Sequence, residues 1–460
     1  MWGIAMCALS IAAGQPSLGG EPIQLHPDNP HYLLFRRKPT VLITSTEHYG
    51  AVLNLDFDYV PYLNELQARG LNLTRTFSGV YCEAPGNFGI KNNTLAPRAG
   101  RLLSPWARSS TPGYPNGGNK FDLTRWDEAY FQRLKDFVAE AGQRGIVVEF
   151  VLFCPFYEDA MWNLSPMKAS NNVQGIGTMP RTEVYTLEHK DMVALHEAVT
   201  RKIVAELKDF DNLYYEICNE PYFGGVTLEW QHRIADTIVE VEKSFPANHL
   251  IAQNIANGHA KIEKPHPAVS IFNFHYATPP DSVAMNYALG KAIADDETGF
   301  KGSGDFVYRA EGWDFLIAGG AIYDNLDYSF TPDREDGTAK PEAPGGGGAA
   351  LRTQLKILKE FIEGFDFVRM APSNALIKGA LPKGVTARAL AEPGRAYAVY
   401  VRGGTQTDLV LELPAGACKA EWVNTKTGAV DKAESFQHPG GERTFASPPY
   451  SEDIALRVRR

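Results

Sequence analysis

Short apolar runs and amphipathic helical segments alternate along the first three quarters of the chain. Eight of the apolar runs are predicted strands: Thr40 to Ser45, Leu71 to Thr76, Ile146 to Phe153, Leu213 to Cys218, Leu250 to Asn254, Val269 to Phe274, Lys291 to Asp295 and Ala321 to Asn325. Between them, apolar residues recur at helical spacing, as in Tyr130 to Ala141, where Phe131, Leu134 and Phe137 share one face. Strands that alternate with helices predict a parallel α/β sheet, and eight such repeats predict a (β/α)8 TIM barrel.

The pattern changes after the eighth repeat, where short segments of alternating polar and apolar residues are separated by turn residues. The segments predicted as strands are Ala396 to Val401, Asp408 to Leu413, Lys419 to Val423 and Ile454 to Val458. We therefore predict a barrel over residues 21–371 and a small all-β sandwich over residues 372–460. Tyr397, Tyr400 and Trp422 fall inside these strands, which favours packing over a carbohydrate-binding surface.

Composition and charge exclude several classes of protein. The 460 residues are 44% hydrophobic and 22% charged, enough for a large core. The net charge of -9, without a basic block, argues against a nucleic-acid partner. Residues 1–14 form an apolar run ending in small residues, which is typical of a signal peptide, although no basic residue precedes the run. We expect a secreted or periplasmic protein without a membrane span; a mis-assigned start or a disordered tail is the alternative.

The five cysteines are too few for a dense disulfide framework. Cys154 and Cys218 end adjacent predicted strands, so the sequence leaves a disulfide between them open. No C-x-x-C, H-x-H or H-E-x-x-H spacing occurs, so we predict neither a metal nor a cofactor. A metal-dependent hydrolase that uses His48 and His275 is a weaker reading. The oligomeric state is not predicted.

Two of the predicted strands end in carboxylates. The fourth leads into Asn219 and Glu220, and the seventh leads through two aspartates into Glu297. Because the carboxyl ends of parallel barrel strands meet at one face, both acids should reach one site. Glycosidic-bond hydrolysis needs such a pair, one acid to protonate the leaving oxygen and one to meet the oxocarbenium ion. Glu216 lies deeper on the same face of strand four and should bind buried polar groups.

Two further strand ends complete a resemblance to the clan A glycoside hydrolases, the cellulase- and mannanase-like enzymes built on a TIM barrel. Leu71 to Arg75 is similar to the second-strand segment whose Arg binds the nucleophile, and Phe274 to Tyr276 is similar to the sixth-strand aromatic segment. In this group the acid/base Glu follows Asn at the end of strand four, and the nucleophilic Glu ends strand seven. The resemblance covers roughly residues 35–370.

The resemblance implies a retaining β-glycoside hydrolase that acts on a glucan- or mannan-like chain, with Glu220 as acid/base and Glu297 as nucleophile. Arg75 would keep Glu297 ionised, and Asn219 would bind the sugar 2-hydroxyl. Burial and the charge of the second carboxylate should raise the pKa of Glu220. The two aspartates before Glu297 compete for the nucleophile's role. The alternative function is a non-catalytic carbohydrate-binding barrel, although a binding protein has no need of both acids.

Six more residues are predicted to bind the carbohydrate substrate, because they lie at strand ends or in long loops on the same face. They are His275, Tyr276, Glu47, His48, Trp162 and Tyr328. The loop aromatics could stack on sugar rings or simply pack the loops. Many clan members have a Trp at the end of strand eight. Here Tyr328 or Phe330 takes its place, so the sequence does not name the sugar.

Overall fold

A parallel eight-stranded sheet forms the centre of the molecule. We describe residues 20–341 and 344–460 of a computed structural model, so the predicted signal peptide lies outside the described residues. The strands, labelled β1 to β8, are Leu42–Thr46, Leu73–Phe77, Val147–Phe153, Leu213–Cys218, Ile251–Asn257, Val269–His275, Ala292–Glu297 and Ile322–Leu326. They pair in the order β1-β8-β7-β6-β5-β4-β3-β2. The predicted TIM barrel is confirmed.

The seam between β1 and β2 is closed by the side chain of Asn72. Its Oδ1 accepts a hydrogen bond from the backbone N–H of Ile43 (3.0 Å), and its Nδ2 donates to the carbonyl of Val41 (2.9 Å). Its backbone N–H reaches the carbonyl of Ile43 at 3.4 Å. One amide side chain thus satisfies backbone groups that a strand ladder would otherwise pair.

The part of the chain that the structure describes contains eight α-helices. Labelled α1 to α8, they are Tyr59–Ala68, Glu128–Gln143, Asp159–Trp162, Lys190–Leu207, Leu228–Glu242, Asp281–Asn286, Asp305–Ile317 and Ala349–Glu363. The apolar face predicted for α2 is buried, and Asp127 caps the helix by accepting a hydrogen bond from the backbone of Ala129. The connection from β5 to β6 is a loop.

The C-terminal residues form two antiparallel sheets. Their strands, β9 to β17, are Ala371–Pro372, Ile377–Lys378, Thr386–Glu392, Ala396–Arg402, Asp408–Leu413, Gly416–Val423, Val430–His438, Gly441–Ala446 and Asp453–Arg459. One sheet has the order β9-β11-β12-β17-β14-β15 and the other β10-β13-β16. Apolar residues of both sheets, such as Val399 and Leu411, share one buried core, as predicted for a sandwich.

Helix α7 joins the barrel to the sandwich. The ring of Trp313 stacks on Tyr400 with centroids 5.5 Å apart, and Arg309 binds both carboxylate oxygens of Asp453 at 2.8 and 3.0 Å. The three sandwich aromatics singled out in the sequence are all buried, which confirms their packing role.

Smaller antiparallel sheets flank the barrel. One comprises Gln24–Leu25, Leu33–Phe35 and Lys38–Thr40, and the other is a hairpin of Trp106–Pro112 and Asn119–Trp126 in the loop after β2. In residues 20–341 and 344–460, no helix combines the length and apolar character needed to cross a membrane. Cys154 and Cys218 are buried free thiols, so the disulfide left open by the sequence does not form.

Candidate active site

A pocket of about 390 Å³ opens where the barrel strands end. Five of the residues proposed from sequence line it: Glu220, Glu297, Asn219, Tyr276 and His48. The other lining residues are Tyr49, Phe77, Glu83, Phe88, Leu95, Cys154, Tyr157, Phe223, Asn257 and Phe300. A larger depression of about 600 Å³ lies at the opposite end of the barrel and contains neither Glu220 nor Glu297.

Backbone strain is concentrated around this pocket. Ten non-glycine residues in the described part of the chain have a left-handed backbone, and five of them line the pocket. They are Tyr49, Phe88, Glu220, Tyr276 and Phe300, with φ between 37° and 63°. Such conformations cost of order 1–3 kcal/mol each and cluster at functional sites. The clustering marks this pocket as the functional site independently of any motif.

Three donors hold the carboxylate of Glu297 at the end of β7. Its Oε2 accepts hydrogen bonds from Tyr49 Oη (3.0 Å) and Arg75 Nη1 (3.2 Å), and its Oε1 accepts one from Tyr276 Oη (2.9 Å). The contact predicted between Arg75 and Glu297 is therefore present. Convergent donors of this kind suit an anionic carboxylate.

A β-bulge explains how Glu297 reaches the pocket. In the pairing of β6 with β7, Asp295 lies opposite Phe274 and Glu297 lies opposite His275, which leaves Asp296 as the extra residue. Asp296 therefore turns inward as well. Strict alternation would have placed Asp296 and Glu297 on opposite faces of the strand.

Glu220 follows β4 and faces Glu297 across the pocket. Its Oε2 accepts a 2.6 Å hydrogen bond from Tyr157 Oη, and its Oε1 accepts a 3.1 Å bond from Tyr222 Oη. His275 Nδ1 lies 3.2 Å from the same Oε1. An oxygen of Glu220 lies within 4.8 Å of an oxygen of Glu297. The two acids thus form a close pair on separate strand ends.

The expected rise in the pKa of Glu220 is not found. Burial does raise the pKa of this carboxyl, but the hydrogen bond and charge of His275, with the hydroxyls of Tyr157 and Tyr222, outweigh burial. The pKa of Glu220 is consequently lowered. The sequence-based expectation was wrong because it counted burial and the charge of the second carboxylate without the donors that β6 and the loops bring to Glu220.

His275 and Asn219 lie behind the two acids and help to hold them in position. His275 Nδ1 lies 3.5 Å from Glu297 Oε1 as well as close to Glu220, and its Nε2 contacts the amide of Asn254. Asn219 Oδ1 accepts a 2.7 Å hydrogen bond from Arg75 Nη2. These contacts tie the end of β4 to the ends of β2 and β6.

A layer of buried carboxylates lies beneath the pocket. Arg75 donates to Glu216 Oε2 from Nε (3.0 Å) and Nη2 (2.7 Å), which confirms the deep role predicted for Glu216. Burial and the charge of Glu216 raise the pKa of Glu149 to about 8. Burial and the charge of Glu149 raise the pKa of Asp296 well above its usual value. This rise favours the neutral form of Asp296, which argues against it as a nucleophile.

Three residues predicted to bind substrate lie elsewhere, and a fourth, His275, is fully buried behind the two acids and does not line the pocket. Glu47 is fully buried and accepts hydrogen bonds from two backbone amides of the following loop (2.9 and 3.1 Å). Trp162 is buried and donates to the carbonyl of Met179 (3.1 Å). Tyr328 packs near His48, with centroids 5.9 Å apart, and does not line the pocket. These residues support the walls, because long loops need buried groups of their own.

Several residues at or beside the pocket were missed or undervalued in the sequence. Tyr222 donates to Glu220, and its position two residues later was the only signal for it. Glu83 lies 3.5 Å from His48 Nε2 and accepts a 3.1 Å hydrogen bond from Tyr81. Nothing in the sequence pattern brings Glu83 to strand one, because the loop that carries it is irregular.

This chain is similar to known proteins in its structure. No family model matches the chain, and no curated protein matches its sequence. A putative glycoside hydrolase from Bacteroides vulgatus ATCC 8482 aligns with a TM-score of 0.70 over 97% of this chain and 83% of its own, at 15% identity. The chain shares its fold with glycoside hydrolases.

Two further solved structures extend this similarity. A glycoside hydrolase family 5 protein from Bacteroides vulgatus ATCC 8482 has a TM-score of 0.66 and 15% identity, over 95% of this chain and 93% of its own. A structure described as a glycoside hydrolase has a TM-score of 0.64 and 16% identity, over 96% and 97%. Because the alignments cover nearly the whole chain, the shared fold includes the sandwich as well as the barrel.

Proposed function

We propose that the protein is a retaining β-glycoside hydrolase in which Glu297 is the nucleophile and Glu220 is the acid/base. The observation that carries the proposal is the approach of their carboxylate oxygens to within 4.8 Å across one pocket. Retaining enzymes hold the two carboxyl groups about 5–5.5 Å apart, whereas inverting enzymes leave about 6.5–9.5 Å for a water. The short gap favours direct attack by Glu297.

In the first step, Glu297 attacks the anomeric carbon while Glu220 gives its proton to the glycosidic oxygen, and the C–O bond breaks. Glu220 must be protonated for this step. A sugar in the pocket excludes water from the carboxyl and raises its pKa. In the second step, Glu220 takes a proton from water, which displaces Glu297 from the sugar. The ester has removed the charge of Glu297, which favours ionised Glu220 as the base.

In this proposal, neighbouring side chains hold the nucleophile and the sugar in position. Arg75, Tyr49 and Tyr276 fix the carboxylate of Glu297 through the hydrogen bonds described above. Asn219 lines the pocket and can meet the sugar 2-hydroxyl through Nδ2, which otherwise contacts Tyr157 at 2.9 Å. His48 also lines the pocket, and its buried Nδ1 has no hydrogen-bond partner among the described residues.

The β-linked glucose or mannose type of sugar and an extracytoplasmic location are parts of the same proposal. The first rests on the resemblance of the strand-end motifs. The second rests on the N-terminal sequence pattern alone.

Trapping the covalent intermediate tests the proposal. We expect 2-deoxy-2-fluoro-β-glucosyl or -mannosyl fluoride to inactivate the protein and to add one glycosyl mass to the peptide that contains Glu297. Proton NMR of early products should show the β anomer first. An α anomer as first product would exclude retention. No turnover on a panel of aryl β-glycosides and β-linked polysaccharides, with retained binding, would favour the carbohydrate-binding alternative.

A further inference from the structure

Exposed phenylalanine side chains occur only around the active-site pocket. All phenylalanines of the chain lie in its described part, and three of them are exposed: Phe88 (43%), Phe223 (43%) and Phe300 (41%). All three line the pocket. Exposed apolar side chains that cluster at one place mark a binding surface, whereas scattered ones need no explanation.

Two of these rings belong to a continuous aromatic strip made of Phe88, Tyr157, Phe223 and Tyr222. Centroid distances along it are 5.3 Å from Phe88 to Tyr157, 5.6 Å from Tyr157 to Phe223 and 5.0 Å from Phe223 to Tyr222. Rings in such contact hold each other in fixed orientations. The strip is therefore a rigid apolar surface that reaches solvent at both ends.

The strip lies on the side of the pocket from which a leaving group departs. Both of its tyrosines donate hydrogen bonds to Glu220, at 2.6 Å and 3.1 Å. The acid must contact the oxygen that joins the sugar to the leaving group, so the leaving group emerges beside Glu220. Phe300 follows Glu297 by three residues and lies beside Tyr328, away from the strip.

Hydrogen-bonding groups along the strip are already engaged. Tyr157 Oη donates to Glu220 and accepts from Asn219, while Tyr222 Oη contacts Glu220 and Asn257 (2.5 Å). A leaving-group sugar would need free partners for its hydroxyls, and this side offers mainly ring faces.

Backbone strain also favours a functional role for the exposed end of the strip. Phe88 has φ 55°, a left-handed conformation that a bulky residue rarely adopts, and it stands between the left-handed Gly86 and Gly89. A solvent-exposed ring held this way gains little for folding, since 43% of the residue stays in water. Because the backbone of Phe88 is strained although its ring is not buried, the ring is better explained by contact with a ligand than by folding.

We propose that the aromatic strip binds an apolar aglycone, so that the preferred substrates are β-glycosides of alkyl or aryl alcohols rather than internal bonds of a polysaccharide. This inference rests on the proposed hydrolase function, and it names the substrate class of the same site. A ring face buries methylene groups as their chain lengthens, so each methylene in contact should raise kcat/KM about two- to fourfold until the strip is covered.

The test uses n-alkyl β-glycosides from ethyl to octyl, carried on whichever sugar is accepted as a glycosyl fluoride. Leaving-group acidity is nearly constant along the series, so the slope of kcat/KM against chain length reports apolar contact. We expect a rising slope for the wild-type protein and a flat one for the double variant Phe88→Ala, Phe223→Ala. Phe300→Ala, an equally exposed ring on the other wall, is the matched control and should keep the slope.

The two proposals fail in different ways. A glycosyl fluoride has no aglycone, so absence of wild-type fluoride hydrolysis would remove the hydrolase function itself. Fluoride hydrolysis with a flat wild-type alkyl series, or with higher kcat/KM on β-linked oligosaccharides than on octyl glycoside, would overturn the aglycone proposal alone. A double variant with the wild-type slope would also overturn it. Thermal unfolding of each variant checks that folding is unchanged.

Discussion

Asp296 and Glu297 are consecutive in the chain, and both carboxylates contact the same guanidinium. Asp296 Oδ2 lies 3.4 Å from Arg75 Nε, and Glu297 Oε2 lies 3.2 Å from Arg75 Nη1. Asp296 is fully buried, whereas Glu297 reaches the pocket. The bulge in β7 therefore gives two adjacent acids different environments, and with them different chemistry.

Replacing these two acids separately should distinguish the nucleophile. We expect Glu297→Ala to lower turnover by about 10⁴-fold or more, because no glycosyl ester can form. Azide should restore some activity with inverted product. Asp296→Asn copies the neutral form of an acid whose pKa is raised by burial, so its kcat should stay within about tenfold of wild type. The reverse pattern in steady-state kinetics would move the nucleophile to Asp296.

Removing Glu220 should separate the two chemical steps. Glu220→Ala should reduce kcat/KM on natural glycosides by about 10²–10⁴-fold, because the leaving oxygen is no longer protonated. A dinitrophenyl glycoside needs no proton, so it should still glycosylate Glu297, and the ester should accumulate. Burst kinetics and intact mass measure this. Full activity of Glu220→Ala on a natural substrate would contradict the assignment.

The hydroxyl of Tyr157 should set the alkaline limit of activity. Its hydrogen bond to Glu220 helps to lower the pKa of that carboxyl, so Tyr157→Phe should raise the pKa. A general acid works only while protonated, and the alkaline limb of kcat/KM should therefore move to higher pH. Tyr185→Phe is the control, because the Tyr185 hydroxyl has no hydrogen-bond partner in residues 20–341 and 344–460. An unmoved limb in Tyr157→Phe would mean that Glu220 is not the acid.

Because of Glu149, the free energy of unfolding should decrease as the pH rises. Burial raises its pKa to about 8 in the folded protein from an ordinary value of 4.5. The folded state thus keeps a proton that the unfolded chain releases, so this contribution is complete below about pH 4.5 and is lost as the pH rises through about 8. The free energy of unfolding, measured by urea denaturation at pH 5, 6.5 and 8, should decrease less with rising pH for Glu149→Gln than for wild type.

The exposed Glu188→Gln is the matched control for this measurement and should keep the wild-type decline. An equal decline in Glu149→Gln and wild type would show that Glu149 is ionised in the folded protein throughout this range.

Hydrophobic periodicity determined much of this molecule. The eight predicted strands match β1 to β8 within three residues at each end, because buried parallel strands must be nearly continuous apolar runs. Strand order along a barrel follows chain order, so Glu220 and Glu297 had to reach the same face. The sandwich was recognised from four strands, while Val430–His438 and Gly441–Ala446 were missed because their polar, exposed residues carry little alternation.

Only the tertiary structure decided how the acids are surrounded. The bulge that turns Asp296 and Glu297 inward depends on hydrogen bonding to β6, which no local pattern records. The donors to Glu220 are His275 at the end of β6 and two tyrosines from the loops after β3 and β4, and together they reverse the pKa shift that burial alone would cause. Trp162 looked like a loop aromatic for sugar stacking and is instead buried. Periodicity encodes which face of an element is apolar, whereas loop contacts depend on distant residues that meet only when the chain has folded.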